Sequence, residues 1–411
     1  MTRETHGHDT RGALRVAVLD HTAEAGGAEL ALARVAAALD PQKVELHLVT
    51  FAPGPLVDLV KIAGHSAEVV ALPRAVLGVD RRSAGGVFTA VSSAIQSMPS
   101  LWRLARRVRE IDADVIHTTS LKADLVGVAV ALVARRPLVW HVHDRIAPDY
   151  LPMPLVRLMR VLARLVPAHV IANSLATAET LPGVRGLTVV HPGLAPGQVL
   201  EAPRSMPVPG DTVVGVLGRI SPTKAQLVFV RAAAILAATR PEVRFRIIGG
   251  ATFGAERYAN EVRAEVERLG LSGRVDFTGH VRDPRPELDA LTVCVHTSSI
   301  PEPFGQVVVE AMARGVPVVA TLGGGIDEIM IPASGERLGW VVPPGDPVAL
   351  AQAIEEALAD PYEAAQRARR AHELVLSLFT IDRTASALTK IWMDVAQRAA
   401  AKTVTTKTVS S

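Results

Sequence analysis

The sequence predicts an α/β protein built on parallel sheets, and three observations predict it. Short runs of branched apolar residues, each of strand length, recur along the chain. Longer patterns with helical spacing separate most of them. The alternation halts once, where Pro and Gly crowd together, and then resumes. Parallel strands need crossover connections, and the intervening helices supply them. At 411 residues the chain exceeds one ordinary core and suits two domains of about 150 to 200 residues each.

The first series of strands is "LRVAVLD" (14–20), "KVELHLVTF" (43–51), "ADVIHTTS" (113–120), "PLVWHVHD" (137–144), "AHVIANS" (168–174) and "LTVVHPG" (187–193). Helical stretches such as "AELALARVAAALD" lie between them. An N-terminal domain is therefore expected over 14–195 and a linker over 196–211, within "HPGLAPGQVLEAPRSMPVPGD". The second series runs "TVVGVLGRI", "RFRIIGG", "RVDFTGHV", "LTVCVHTSS", "VPVVAT" and "GWVVPPG", giving a C-terminal domain over 212–378. Helical patterns close the chain, and the polar ends, 1–13 and 399–411, read as loose tails.

Composition narrows the function. Apolar residues make up 49% and charged residues 21%, the balance of a globular protein with ample core. The N-terminus has no apolar segment behind a basic start, and "LVGVAVALVA" (125–134) is too short to cross a bilayer. The single cysteine, Cys294, excludes an internal disulfide and a cysteine-based zinc site. A cytoplasmic location is the expectation. With 44 basic against 41 acidic residues, no general field for nucleic acid arises. Two segments are locally basic: Arg103, Arg106 and Arg107 share one helical face, as do Arg157, Arg160 and Arg164. Such faces either lie on an anionic membrane, which would seat the protein on its inner surface, or are solvated faces of core helices.

Ligands in open parallel sheets bind beyond the C-terminal strand ends, so the residues following each strand carry the chemistry. After the first strand, Gly26 and Gly27 precede a helix, where backbone amides can approach an anion; a tight turn explains them equally well. The spacing is not G-x-G-x-x-G. After "TVVGVLG", Arg219 and Lys224 bracket a Pro-containing turn, and "GRISPTKA" lacks the second glycine and the Ser/Thr of a P-loop. Two cations there suit a diphosphate, Arg219 as a fork and Lys224 as a point charge, unless they are simply surface charges at a helix start. In "PEPFGQVVVEAMARGVPVVAT", Glu302 precedes a helix and Glu310 lies within it. Eight residues of helix span about 12 Å, beyond the roughly 5 to 9.5 Å of paired glycosidase carboxylates. The two glutamates thus grip separate ends of one elongated ligand, unless Glu310 merely pairs with Arg314 and Glu302 favours the helix N-terminus.

"PEPFGQVVVEAMARGVPVVAT", with "LGRISPTKA", "FTGHV" and "GGAE", resembles the retaining GT-B glycosyltransferases of family 4, in one consistent order from about residue 14 to 397. The resemblance implies two facing Rossmann-like domains with an interdomain cleft, and a final helix over 379–398 crossing back to the N-terminal domain. It implies that Glu302 contacts the donor sugar, Glu310 the ribose, and Arg219 and Lys224 the diphosphate. Phe304 and Gly305 would offer backbone amides. Gly26 and Gly27 match the loop over the donor, and His143 the strand-end histidine near the sugar, unless it is simply a satisfied neighbour of Asp144. Backbone groups from Gly279 to Val281 would meet the base. Ala225 stands where the family usually has glycine, which matters little if a helix starts there. "GGGIDEI" (323–329) departs in its extra glycine and Asp327.

The activity implied is transfer of a hexose from a UDP- or GDP-linked sugar to a glycan or lipid-linked acceptor, with retention and without a metal or other cofactor. The alternatives are a nucleotide-sugar epimerase of the same fold and a noncatalytic sugar-nucleotide sensor.

Overall fold

The computed structural model describes residues 12–24, 26–72, 87–202, 212–251 and 254–409. The expected N-terminal tail, except residues 12 and 13, and most of the expected linker, 203–211, lie outside the described residues.

Seven parallel strands form the N-terminal sheet: β1 (Leu14–Asp20), β2 (Val44–Thr50), β3 (Ser66–Val69), β4 (Val115–Thr118), β5 (Leu138–Val142), β6 (His169–Ala172) and β7 (Leu187–Val189). Their order is β3-β2-β1-β4-β5-β6-β7. Six of the seven are legible as apolar runs. β3, "SAEV", is not: it lies at the sheet edge with Ser66 and Val69 exposed, so it needs no apolar pattern. In the centre, Val16 to Leu19 of β1 are fully buried, which is why the run has no polar alternation.

The C-terminal sheet holds β8 (Val213–Leu217), β9 (Arg244–Ile248), β10 (Val275–Gly279), β11 (Val293–His296), β12 (Val318–Thr321) and β13 (Trp340–Val342), ordered β10-β9-β8-β11-β12-β13. In each sheet the strand order reverses once, between β1 and β4 and between β8 and β11. Crevices open at those points because the crossovers leave to opposite sides.

The chain crosses between the two units twice, at adjacent places. Leu194 pairs with Thr380 in a short parallel bridge: its N–H donates to Phe379 O at 2.8 Å and its carbonyl accepts from Ile381 N at 2.9 Å. A Cβ on Gly193 would collide with the Thr380 carbonyl, so only glycine lets the two segments lie together. The final helix, Ile381–Val409, then packs on the N-terminal unit. Trp392 is fully buried there and donates its indole N–H to His117 Nδ1 at 3.2 Å. This helix does not end near 398 with a loose tail after it. It continues to Val409, because the alanines from Ala399 to Ala401 are strong helix formers.

Candidate active site

The loop after β11 carries the centre of the site. Glu302 is held by its backbone first: its N–H donates to Gly323 O at 3.1 Å and its carbonyl accepts from Gly325 N at 2.8 Å. A Cβ on Gly324 would collide with that carbonyl, and one on Gly325 with Phe304 O. The three glycines of "GGGIDEI" therefore let a second loop close against Glu302, and Asp327 fixes that loop by accepting from Gly323 N at 2.7 Å. The departure seen in the sequence is the clamp on the site's carboxylate.

The Glu302 side chain pairs with Lys224, accepts from Ser298 Oγ at 2.7 Å and lies 3.3 Å from His296 Nε2. Burial would raise its pKa. The Lys224 charge, with the bonds from His296 and Lys224, outweighs burial and holds the carboxyl well below the usual range. Lys224 ends a 3₁₀ turn, Pro222–Lys224, stitched to the loop after β11. Thr297 Oγ1 donates to Lys224 O at 2.7 Å, and Thr223 O accepts from Ser299 N at 2.9 Å and Ser298 Oγ at 3.0 Å. The loops from the β8/β11 reversal thus form one unit with a fixed cation–carboxylate pair. Arg219 lies on the same loop and is exposed, its carbonyl held by Gln226 Nε2 at 2.8 Å.

Ala225 corrects the expectation that its identity matters little. It does not start the helix in ordinary geometry; it sits in the left-handed region at φ 50°, ψ 42° before helix Gln226–Thr239. An alanine there is strained by about 1 to 2 kcal/mol relative to glycine.

Glu310 lies within helix Gln306–Ala313, whose N-cap, Gly305, has φ 111°. A Cβ on Gly305 would strike Ile326. Phe304 is buried, its ring beside His191 and Phe379 at centroid distances of 5.8 and 5.6 Å. Glu310 accepts from Gln306 Nε2 at 2.9 Å. Burial raises its pKa, opposed by that bond and by Arg34. Arg314 pairs instead with Asp289, Nε to Oδ1 at 2.7 Å. The bland pairing is excluded.

Across the interface, Gly26 caps helix Gly27–Ala38, and a Cβ on Gly27 would lie 3.6 Å from Gln306 Oε1. The glycine loop therefore faces the glutamate helix. Beneath it, at the β1/β4 reversal, Asp20 is fully buried, accepting from Thr119 Oγ1 at 2.6 Å and Ser120 Oγ at 3.2 Å. Glu29 is buried beside Gly26, its pKa raised to about 7 by burial and then by Asp20. His143 follows β5, its ring 4.0 Å from that of His141; burial lowers its pKa to about 4, leaving it neutral. Asp144 is engaged by Tyr150, whose hydroxyl donates to Oδ1 at 2.7 Å. Gly279, at φ 70°, ends the edge strand β10, and Val281 follows it.

The structure joins Lys224 directly to Glu302, places Arg219 on the same loop, and brings the Gly26–Gly27 loop to the helix of Glu310. Sequence reasoning missed His296, Ser298, Asp20, Glu29 and Glu328. Glu328 accepts from Leu175 N at 3.0 Å and lies 3.3 Å from His191 Nε2, so it links the units. Polar residues immediately following apolar strands, "VLDH" and "VHTSS", were the available signal.

The family model described as Glycosyltransferase Family 4 matches residues 25–197, and that described as Glycosyl transferases group 1 matches 211–360. The chain is 34% identical over 185 residues to the lipopolysaccharide core biosynthesis mannosyltransferase LpcC of Rhizobium leguminosarum bv. viciae, covering 45% of this chain and 51% of that protein. The match thus spans about half of that relative's length. It is 32% identical over 322 residues to the D-inositol 3-phosphate glycosyltransferase of Stackebrandtia nassauensis, covering 70% of this chain and 69% of that one. Anabaena Alr3699/HepE, solved in complex with UDP and glucose, superposes with a TM-score of 0.77 at 27% identity, over 93% of this chain and 100% of that one. Two Rossmann-like sheets, both family models and these relatives agree: the chain belongs to the group 1, family 4 glycosyltransferases, with the GT-B fold.

Proposed function

We propose that the protein transfers a hexosyl group from a nucleoside diphosphate sugar to an acceptor hydroxyl, with retained anomeric configuration. The observation that carries this is the stitched Lys224–Glu302 pair at the β8/β11 crevice. In this reading Glu302, kept ionised, accepts hydrogen bonds from sugar hydroxyls. Lys224 and Arg219 stabilise charge growing on the diphosphate as it leaves, helped by amides at the start of helix Gln306–Ala313. The neutral His143 ring faces the sugar from the N-terminal unit, Gly26 and Gly27 close over the donor, Gly279 to Val281 meet the base, and Glu310 takes the ribose. The departing phosphate oxygen accepts the acceptor proton on the same face. That Alr3699/HepE was solved with UDP and glucose supports such a donor.

A thermal-shift panel of UDP- and GDP-sugars should find a stabilising donor, since a bound ligand raises the melting temperature by mass action. Product configuration by NMR, with EDTA present throughout, then tests retention and metal independence. An inverted product would overturn the mechanism. Turnover needing an acceptor hydroxyl separates transfer from epimerisation.

The acceptor reading extends to a membrane surface, favoured by helix Met153–Leu165. Met153, Leu158, Val161 and Leu165 are 43%, 48%, 47% and 77% exposed beside exposed Arg157 and Arg164, and the helix has no acidic residue. Arg160 does not share that face as expected; it turns inward to Thr180 O and Ile146 O. The other basic segment is weaker, because Arg106 and Arg107 pair with Glu110 and Glu68. Vesicles rich in anionic lipid should sediment the wild type and lose it on Leu165→Glu. Equal sedimentation would remove the membrane from the proposal.

A further inference from the structure

The segment that follows β6, residues 173–180, runs into helix Leu175–Glu179 with its polar side chains turned inward. Asn173, Ser174, Thr177 and Thr180 are all buried. Buried amides and hydroxyls are costly unless they are bonded, so the places where their hydrogens go are informative. They go to two loops, one from each unit.

Toward the N-terminal unit the segment holds the loop after β5. Asn173 Nδ2 donates to His143 O at 3.1 Å, Thr180 Oγ1 accepts from Ile146 N at 3.1 Å, and Ala176 O accepts from Arg145 Nη1 at 3.3 Å. Toward the C-terminal unit it holds the loop after β11. Ser174 Oγ and Thr177 Oγ1 both donate to Pro303 O, the second at 3.2 Å. Leu175 N donates to the two carboxylate oxygens of Glu328 at 3.0 and 3.2 Å, on the loop-and-helix that clamps Glu302. A proline ring fixes its own φ and restricts the residue before it, so a grip on the Pro303 carbonyl passes to Glu302 with little slack. One short segment thus braces His143 through its own carbonyl and Glu302 through that of its neighbour.

We propose that Asn173, Ser174 and Thr177 are positioning residues of the sugar site: they set how far His143 stands from Glu302, and so how the two meet the hexosyl group of the donor. This rests on the reading that those two side chains face that group. In the same reading the diphosphate, ribose and base are met from the C-terminal unit, so the brace bears on the sugar alone.

The test is a pair of calorimetric affinities, UDP-glucose against UDP and GDP-mannose against GDP; the ratio within each pair isolates the sugar. Thr177→Val keeps the side-chain shape and leaves the Ser174 cap on Thr177 N intact, so it is the variant least exposed to misfolding. Its affinity for free nucleotide should match wild type, while the donor binds about fivefold more weakly relative to its nucleotide. Ser174→Ala should do the same, and Thr177→Ser, which retains the hydroxyl, should keep the wild-type ratio. Equal weakening of donor and nucleotide, an unchanged ratio in both Thr177→Val and Ser174→Ala, or a Thr177→Ser ratio displaced like that of Thr177→Val overturns the inference. An unchanged ratio in both His143→Ala and Glu302→Gln, or no binding of any of the four ligands by the wild type, overturns instead the sugar-site reading beneath it.

Discussion

Glu302 and Glu29 occupy comparable places in the two halves of the molecule. Glu29 is buried and the Glu302 side chain only 12% exposed, and each follows a central strand near the point where its sheet reverses. Their protonation is opposite. Glu302 is held ionised, whereas Glu29 sits at about 7. Burial disfavours charge on both; the difference is Lys224 beside Glu302, whereas beside Glu29 the repulsion from Asp20 exceeds the opposing effect of His21. The C-terminal half is thus prebuilt around a fixed ion pair, and the N-terminal half places Glu29, its pKa raised to about 7, near an Asp20 shared among hydroxyls.

The largest effect should come from dismantling that pair. Lys224→Ala or Glu302→Ala should lower turnover by about a thousandfold at saturating donor, with circular dichroism unchanged. Near-normal rates in both would break the comparison outright. Gly324→Ala comes next: its backbone has φ 72° and the new Cβ meets the Glu302 carbonyl. A stability loss of about 3 kcal/mol in urea titration, with turnover lost as Glu302 shifts, is expected.

Glu29→Gln sharpens the other side. The folded pKa of Glu29 is raised from 4.5 to about 7, so the native state binds the extra proton in that window and wild-type stability falls as pH rises through it. The variant should lose this slope. At pH 8 it should be more stable than wild type by on the order of 2 kcal/mol, and nearly equal below pH 4.5. Glu302 has the reverse sign: its contribution is present above the ordinary carboxylate range and lost as pH falls through its depressed value. The smallest effect is Ala225→Gly, which relieves a left-handed alanine and should stabilise by about 1 kcal/mol with activity unchanged.

Strands buried on both faces announce themselves as unbroken apolar runs, so all strands but edge β3 were readable. The placement of Glu302, Lys224 and Arg219 just after strands was readable from the apolar runs that precede them. What eluded the sequence was tertiary. Nothing in "GGGIDEI" says that its glycines press on the Glu302 backbone, and nothing in "HTSS" says that His296 and Ser298 turn toward one carboxylate. Arg160 and Arg107 looked like members of free basic faces because helical spacing reports direction without reporting what lies opposite.

The paired passage at Leu194 and Thr380 has a practical meaning for protein production. Shortening the polypeptide ahead of Ile381 would sever one of two straps and strip Trp392 from its seat over His117. The bared hydrophobic trench would then drive clumping, so a trimmed version should fail in the expression host before any assay is run.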